Sequence, residues 1–303
     1  MAIQFTKLHP LFAAEVSGVD LRKVDDEATL GALRAAMDEY AVLVVRDQQF
    51  TDEEQVAFTR RFDPEIPDTV VPAAGPSAPA VENRPISEAE RRLALGLIKV
   101  SNLDDDSRIV DAYDPRRVSK LGNRIWHTDG PIVDPSGRYT LLSGRIIPPV
   151  PADTQFADTR AAYDALDDET KAAIASLHVH YSLVYARHTM GFVFPPEEEA
   201  RLPGAIHPLV RVNPRTGRRS LYLGQHASRV MEMQVPEGRV LLSDLTEHAT
   251  QREFVYSHKW RQYDLLIWDN RATLHRARSF DDAKYGRDMR RTMTRDFGAP
   301  AVS

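Results

Sequence analysis

Two histidines and an aspartate stand in a pattern that can bind one face of a divalent metal. They are His127 and Asp129 in Trp126-His127-Thr128-Asp129, and His275 closing Trp268-Asp269-Asn270-Arg271-Ala272-Thr273-Leu274-His275. Two imidazoles and one carboxylate, set on opposite edges of a β-fold, would hold a ferrous ion and leave its other face open to cosubstrate and dioxygen. Taken singly the signals are weak. A His-x-Asp triplet arises by chance about once in a chain with this many histidines and aspartates. A lone histidine near the end of a buried-strand run such as Leu265 to Trp268 more often fills a half-buried place than ligates a metal. An extended backbone at 127–129 would put His127 and Asp129 on one face, because side chains alternate with period two.

A competing pair, His178 and His180, also shares a face, but nothing nearby completes a ligand set. His9, His188, His207, His226, His248 and His258 have no spacing that suggests ligation. Farther on, Arg287, Met289, Arg291, Met293 and Arg295 alternate with Asp288, Arg290, Thr292 and Thr294. In a strand, Arg287 and Arg291 would point the same way as two methionines, which suits cations set in an apolar pocket wall. A planar guanidinium grips a carboxylate bidentately, so two of them suit two anionic ligands. A solvated arginine face is the alternative, and composition alone leaves both open.

These groups need a scaffold that brings distant segments together. Leu8 to Leu21 is short-strand material punctuated by Pro and Gly. Leu30, Leu33, Ala36, Met37 and Tyr40 recur at helical spacing, and Ala41 to Val45 reads as a buried strand. Thr51 with Glu54 forms a capping-box signature for a second helix ending near Phe62. From Asp63 to about Arg92 six prolines break every period, which marks either a lid or a loose loop. After Ile98-Lys99-Val100, strands are expected at Tyr139 to Ile147, His178 to Val184, Leu209 to Val212, Ser220 to Leu223, Phe254 to Trp260, Leu265 to Trp268 and Met289 to Thr294. Helices are expected at Thr159 to Leu177 and Glu237 to Thr250, and Asn213 to Arg218 reads as a hairpin connection. The expected class is mainly β (α+β): a double-stranded β-helix (jelly-roll) core with flanking helices. One domain spans 1–303, with a lid or insertion at about 63–118.

The chain has 303 residues, enough to bury a sizeable core, with 42% hydrophobic and 27% charged residues. A net charge of -5 carries no polybasic bias, so nucleic acid is not an expected partner. The absence of cysteine excludes disulfides, thiolate metal sites and cysteine nucleophiles. No apolar run reads as a signal peptide or membrane span, and the expected location is cytoplasmic.

With these residues in view, the chain resembles the taurine/2,4-dichlorophenoxyacetate dioxygenase family of Fe(II)- and 2-oxoglutarate-dependent oxygenases, closest to the 2,4-dichlorophenoxyacetate branch. The resemblance rests on Leu8 to Leu21, Trp126 to Asp129, Arg160 to Leu166, Glu247 to Tyr256 and Trp268 to His275. It implies that His127, Asp129 and His275 bind iron, with O2 and 2-oxoglutarate as cosubstrates. It implies that Thr154 and Arg287 hold the distal carboxylate of 2-oxoglutarate, and that Arg291 holds the acidic group of a small anionic substrate. The implied reaction hydroxylates a substrate carbon, releasing succinate and CO2; for an aryloxyacetate the hemiacetal collapses to a phenol and glyoxylate. A homo-oligomer, dimer or tetramer, is the expected assembly.

Three departures bear on substrate. The His275-to-Arg287 spacing is one residue longer than in close relatives, and Val150-Pro151-Ala152 replaces a Gly-Gly pair before Asp153-Thr154. Val71 stands where relatives carry a carboxylate-binding lysine. The same chemistry on an alkyl sulfonate, a sulfate ester or a carboxylated secondary-metabolism intermediate is therefore an alternative. A non-catalytic jelly-roll with a relict site, and a zinc hydrolase at His178 and His180, are the readings from other classes.

Overall fold

The computed structural model describes residues 3–63 and 96–296; most of the proline-rich segment, and Val71 with it, lies outside them. The first strands are β1 (Gln4–Lys7), β2 (Ala14–Ser17), β3 (Val42–Val45), β4 (Ile98–Ser101) and β5 (Gly137–Ile146). There follow β6 (Thr154–Asp158), β7 (His178–Tyr181), β8 (Ala205–Pro208), β9 (Val210–Val212) and β10 (Arg219–Leu221). The last are β11 (Ala227–Val230), β12 (Val255–His258), β13 (Leu265–Asp269), β14 (Thr273–Ala277) and β15 (Asp288–Arg295). Seven of them form one mixed sheet in the order β1-β2-β3-β13-β5-β15-β4, and a three-stranded sheet runs β12-β6-β14. The class is mixed α/β with a sheet-rich core.

Alternation explains the layering. In β13, Leu265 and Ile267 enter one apolar cluster while Leu266 and Trp268 enter another; in β3, Leu43 and Val45 divide from Val42 and Val44 in the same way. Both faces of the large sheet are covered, so these strands read as continuous apolar runs. The first cluster lies under α1 (Glu27–Tyr40) and α2 (Asp52–Phe62), which contribute Leu30, Leu33, Met37, Phe58 and Phe62. The second includes Phe156 of β6 and Trp260 just beyond β12, so it fills the space between the two sheets. α2 opens on the expected capping box: Thr51 accepts from the Glu54 amide and Glu54 from the Thr51 amide.

Local chemistry moved several boundaries. The single helix expected over Thr159 to Leu177 is two, Thr159–Asp164 and Asp168–Ile174, because Asp158 and Asp167 each cap a new N-terminus. The strand expected over His178 to Val184 stops at Tyr181, and Ser182 caps a short helix, Leu183–His188. The long helix is Val235–Ala249, and the hairpin at Asn213 joins β9 to β10 with the Arg218 carbonyl accepting from the Asn213 amide at 2.9 Å.

Candidate metal and cosubstrate site

His275 lies in the middle of β14, opposite Phe156 of β6 on one side. On its other side it pairs with His127: each backbone N–H donates to the other's carbonyl, at 3.0 Å and 2.8 Å. The two histidines are therefore paired neighbours at one sheet margin, not residues of opposite edges, and their ring centroids stand 4.1 Å apart. Asp129 follows two residues on, and one ligand atom from each of His127, Asp129 and His275 falls within 4.8 Å of the others. All three side chains are buried. This is the one such group among the described residues.

The protonation states suit a cation. Burial lowers the pKa of His127 and drives that of His275 well below the usual imidazole range, so both rings stay neutral at neutral pH. His127 Nδ1 lies 2.7 Å from the Ile125 carbonyl oxygen; a proton there leaves Nε2 with a free lone pair. His275 Nδ1 is sealed from solvent with no partner. For Asp129, burial opposes ionisation, but Arg291, the two histidines and the Thr140 hydroxyl outweigh it and hold the carboxyl below its ordinary range. Arg291 Nη1 donates to Oδ1 at 2.6 Å and Thr140 Oγ1 to Oδ2 at 2.9 Å. Each carboxylate oxygen keeps a second lone pair, so this donor set fits a divalent ion of the borderline or hard kind.

One residue not singled out by spacing holds this corner together. Asn270, in the tight turn between β13 and β14, accepts at Oδ1 from the Asp129 amide (3.1 Å) and from Trp268 Nε1 (3.0 Å). Its Nδ2 donates to Thr140 Oγ1 at 2.8 Å, and its carbonyl accepts from Thr128 Oγ1 at 2.6 Å. Two glycines make room: a Cβ on Gly137 would sit 2.4 Å from the Asp129 carbonyl, and one on Gly224 would sit 3.0 Å from His127 Cα. Gly224 also has φ +123°, a conformation L side chains rarely adopt.

A cavity of about 120 Å³ opens beside the three ligands, and Thr154, Arg287, Met289 and Arg291 line it. The pocket alternative for the basic strand is thus the one realised, although a bulge between Asp288 and Met289 interrupts simple alternation. Arg287 pairs with no carboxylate among the described residues. Burial pushes its pKa down to about 10, against the pull of Asp153, so it remains a desolvated cation. Its Nη2 lies 3.4 Å from Thr154 Oγ1, to which Trp260 Nε1 also donates, at 2.9 Å. A hydroxyl that accepts two N–H bonds is left with its own proton to give, so Thr154 and Arg287 together present donors to a carboxylate.

His178 and His180 take other partners: His178 Nδ1 meets Glu232 at 2.8 Å, and His180 contacts Ser228 and the Pro203 carbonyl. His226 was set aside for lack of spacing, yet it lies beside the ligands, and burial first, with the neighbouring His127 imidazole next, lowers its pKa to about 3. Nothing in the local sequence signals that approach.

Comparison with known proteins agrees with this geometry. Residues 4–293 match the family described as taurine catabolism dioxygenase TauD, TfdA family. The alpha-ketoglutarate-dependent 2,4-dichlorophenoxyacetate dioxygenase of Cupriavidus pinatubonensis is 36% identical over 297 residues, covering 98% of this chain and 99% of that protein. The (S)-phenoxypropionate/alpha-ketoglutarate-dioxygenase of Sphingobium herbicidovorans is 32% identical over 289 residues, covering 92% and 91%. The crystal structure of AAD-2 in complex with Mn(II) and N-oxalylglycine superposes with a TM-score of 0.86 at 41% identity, covering 100% of both chains.

Proposed function

The chain belongs to the TauD/TfdA dioxygenase family, and from that premise we propose that it is an Fe(II)- and 2-oxoglutarate-dependent dioxygenase acting on a small aryloxyalkanoate such as a phenoxyacetate. The observation that carries the reading is the placement of one cavity between the His127–Asp129–His275 set and the Arg287–Thr154 pair. In this reading His127, Asp129 and His275 hold iron, and Thr154 and Arg287 take the distal carboxylate of 2-oxoglutarate. Arg291 pairs with the acidic group of the substrate while keeping Asp129 ionised. Bound iron supplies the redox chemistry by which O2 and 2-oxoglutarate give succinate, CO2 and a hydroxylated substrate carbon. The protein contributes placement and dryness: Trp268 and Phe156 pack on the His275 ring, with centroids 4.7 Å and 6.1 Å away. A hemiacetal formed from a phenoxyacetate then collapses to a phenol and glyoxylate.

The two packed sheets are read as a double-stranded β-helix within a single domain spanning 1–303, with a lid or insertion at about 63–118. A homo-oligomer and a cytoplasmic location complete the proposal. No helix among the described residues is long and apolar enough to cross a membrane. The test is Fe(II)-dependent conversion of 2-oxoglutarate to succinate by purified protein, measured with phenoxyacetates, phenoxypropionates, alkyl sulfonates and sulfate esters. Release of phenol in step with succinate supports the aryloxyalkanoate assignment. Iron-dependent turnover stimulated only by the sulfur compounds keeps the chemistry and rejects that substrate, and no iron-dependent succinate at all rejects both.

A further inference from the structure

A second cavity, of about 230 Å³, shares a wall with the first. Asn123, His127, Asp129 and Arg291 line both, so two of the three ligand side chains stand between the chambers. The second chamber has apolar lining from Ile132, Leu183 and Met293, and it adds two guanidiniums, Arg187 and Arg295. Neither pairs with a carboxylate among the described residues. Arg187, from the short helix capped by Ser182, donates to the Ser119 carbonyl at 2.5 Å and lies 5.6 Å from the Phe192 ring. Arg295 is 7% exposed and donates to the Pro135 carbonyl at 3.3 Å. Asp129, the one acid among the described residues of the wall, is already engaged by Arg291 and Thr140.

Positive charge taken out of water is costly without a counter-ion, and here the buried Arg295 and the half-buried Arg187 face one space. We propose that this second chamber receives the primary substrate and that Arg187, with Arg295, completes the grip of Arg291 on its carboxylate, making Arg187 a specificity-determining residue. The proposal rests on the dioxygenase reading above and adds to it. Arg291 already carries the charge of Asp129 and is only a partial anchor for a second anion, whereas Arg187 and Arg295 carry no acid among the described residues. Two chambers meeting at one ligand set let cosubstrate and substrate bind together without competing for Arg287. The apolar part of that wall, Ile132, Leu183 and Met293, suits the aryl or alkyl body of a monoanionic carboxylate.

The experiment is calorimetric titration of Mn(II)- and N-oxalylglycine-loaded protein with 2,4-dichlorophenoxyacetate and with its uncharged amide. Arg187→Gln should weaken the acid by about tenfold to a hundredfold, the range of one charge-assisted contact. Binding of the amide and of N-oxalylglycine should stay within about twofold, and Arg187→Lys should recover part of the preference for the acid. Unchanged acid affinity in Arg187→Gln overturns the proposal. So does a parallel loss of N-oxalylglycine in both variants, or a wild-type protein that does not prefer the acid to the amide. Failure of the underlying reading shows separately, as wild-type protein that forms no iron-dependent succinate with any substrate.

Discussion

Replacing Asn270 with Ala should damage both the fold and the metal site, by amounts that follow from its contacts. The substitution removes the acceptor for two sealed donors, the Asp129 amide and Trp268 Nε1, and the donor to Thr140 Oγ1. Each stranded N–H costs about 1–3 kcal/mol, so unfolding of the metal-free protein should be easier by about 2–6 kcal/mol. Asp129 also loses the tether on its backbone, and Thr140, which donates to Oδ2, loses its own orienting bond. Groups that orient metal ligands are worth about tenfold to a hundredfold in affinity. Urea denaturation gives the first quantity. Quenching of tryptophan emission during Mn(II) or Fe(II) titration gives the second, with Trp268 well placed to report because its ring lies 4.7 Å from that of His275. Thr140→Val is the milder probe, removing only the hydroxyl. It should weaken metal binding severalfold, and the double variant should fall short of additivity because both changes act through Asp129. If Asn270→Ala bound metal within twofold of wild type and unfolded within about 0.5 kcal/mol of it, the assigned role of this turn would be wrong.

Arg287→Gln should raise the KM for 2-oxoglutarate by about a hundredfold, since a desolvated bidentate cation is lost; Arg287→Lys should restore little, because the planar fork is absent. Steady-state succinate formation against 2-oxoglutarate concentration reads this directly. Gly224→Ala meets both the φ of +123° and the 3.0 Å approach to His127 Cα. It should cost about 1–3 kcal/mol and displace His127, seen as a lower melting temperature with weaker metal binding; a variant matching wild type in both would show that the loop relaxes freely. His226 links stability to acid. Its folded pKa of about 3 lies below the unfolded value near 6.5, so its contribution is complete above that value and is lost as pH falls toward 3. Metal-free His226→Gln should therefore show a shallower loss of stability between those pH values, and an unchanged slope in a pH series of urea melts would contradict the assignment.

Patterns that a short window contains were legible from the chain. The capping box at Thr51 and Glu54 is satisfied within four residues. The apolar runs Ala41 to Val45 and Leu265 to Trp268 read as buried strands, and Val42–Val45 and Leu265–Asp269 are strands with both faces covered. The ligand set, Thr154, Arg287 and Arg291 were named from motif and resemblance, and folding brings all six to the lining of one cavity. Capping aspartates were harder to weigh. Asp167 sits in a helical stretch of sequence, and only its bond to the Thr170 amide makes it a new N-terminus.

What the sequence by itself determined is which groups are available: two imidazoles, a carboxylate and a file of arginines on a strand with period two. Covalent spacing suffices for that, because side-chain direction along a strand is a local property. Only the tertiary structure decided that His127 and His275 are bridged neighbours, that Asn270 grips Asp129, and that His226 and Arg187 stand near the ligands. Those contacts join segments far apart in the chain, and their register is set by the packing of two sheets and by where glycines let backbones approach. No local pattern encodes that distance. The same packing determined which arginines found acids and which did not, leaving Arg187, Arg287 and Arg295 with charge but no carboxylate partner among the described residues.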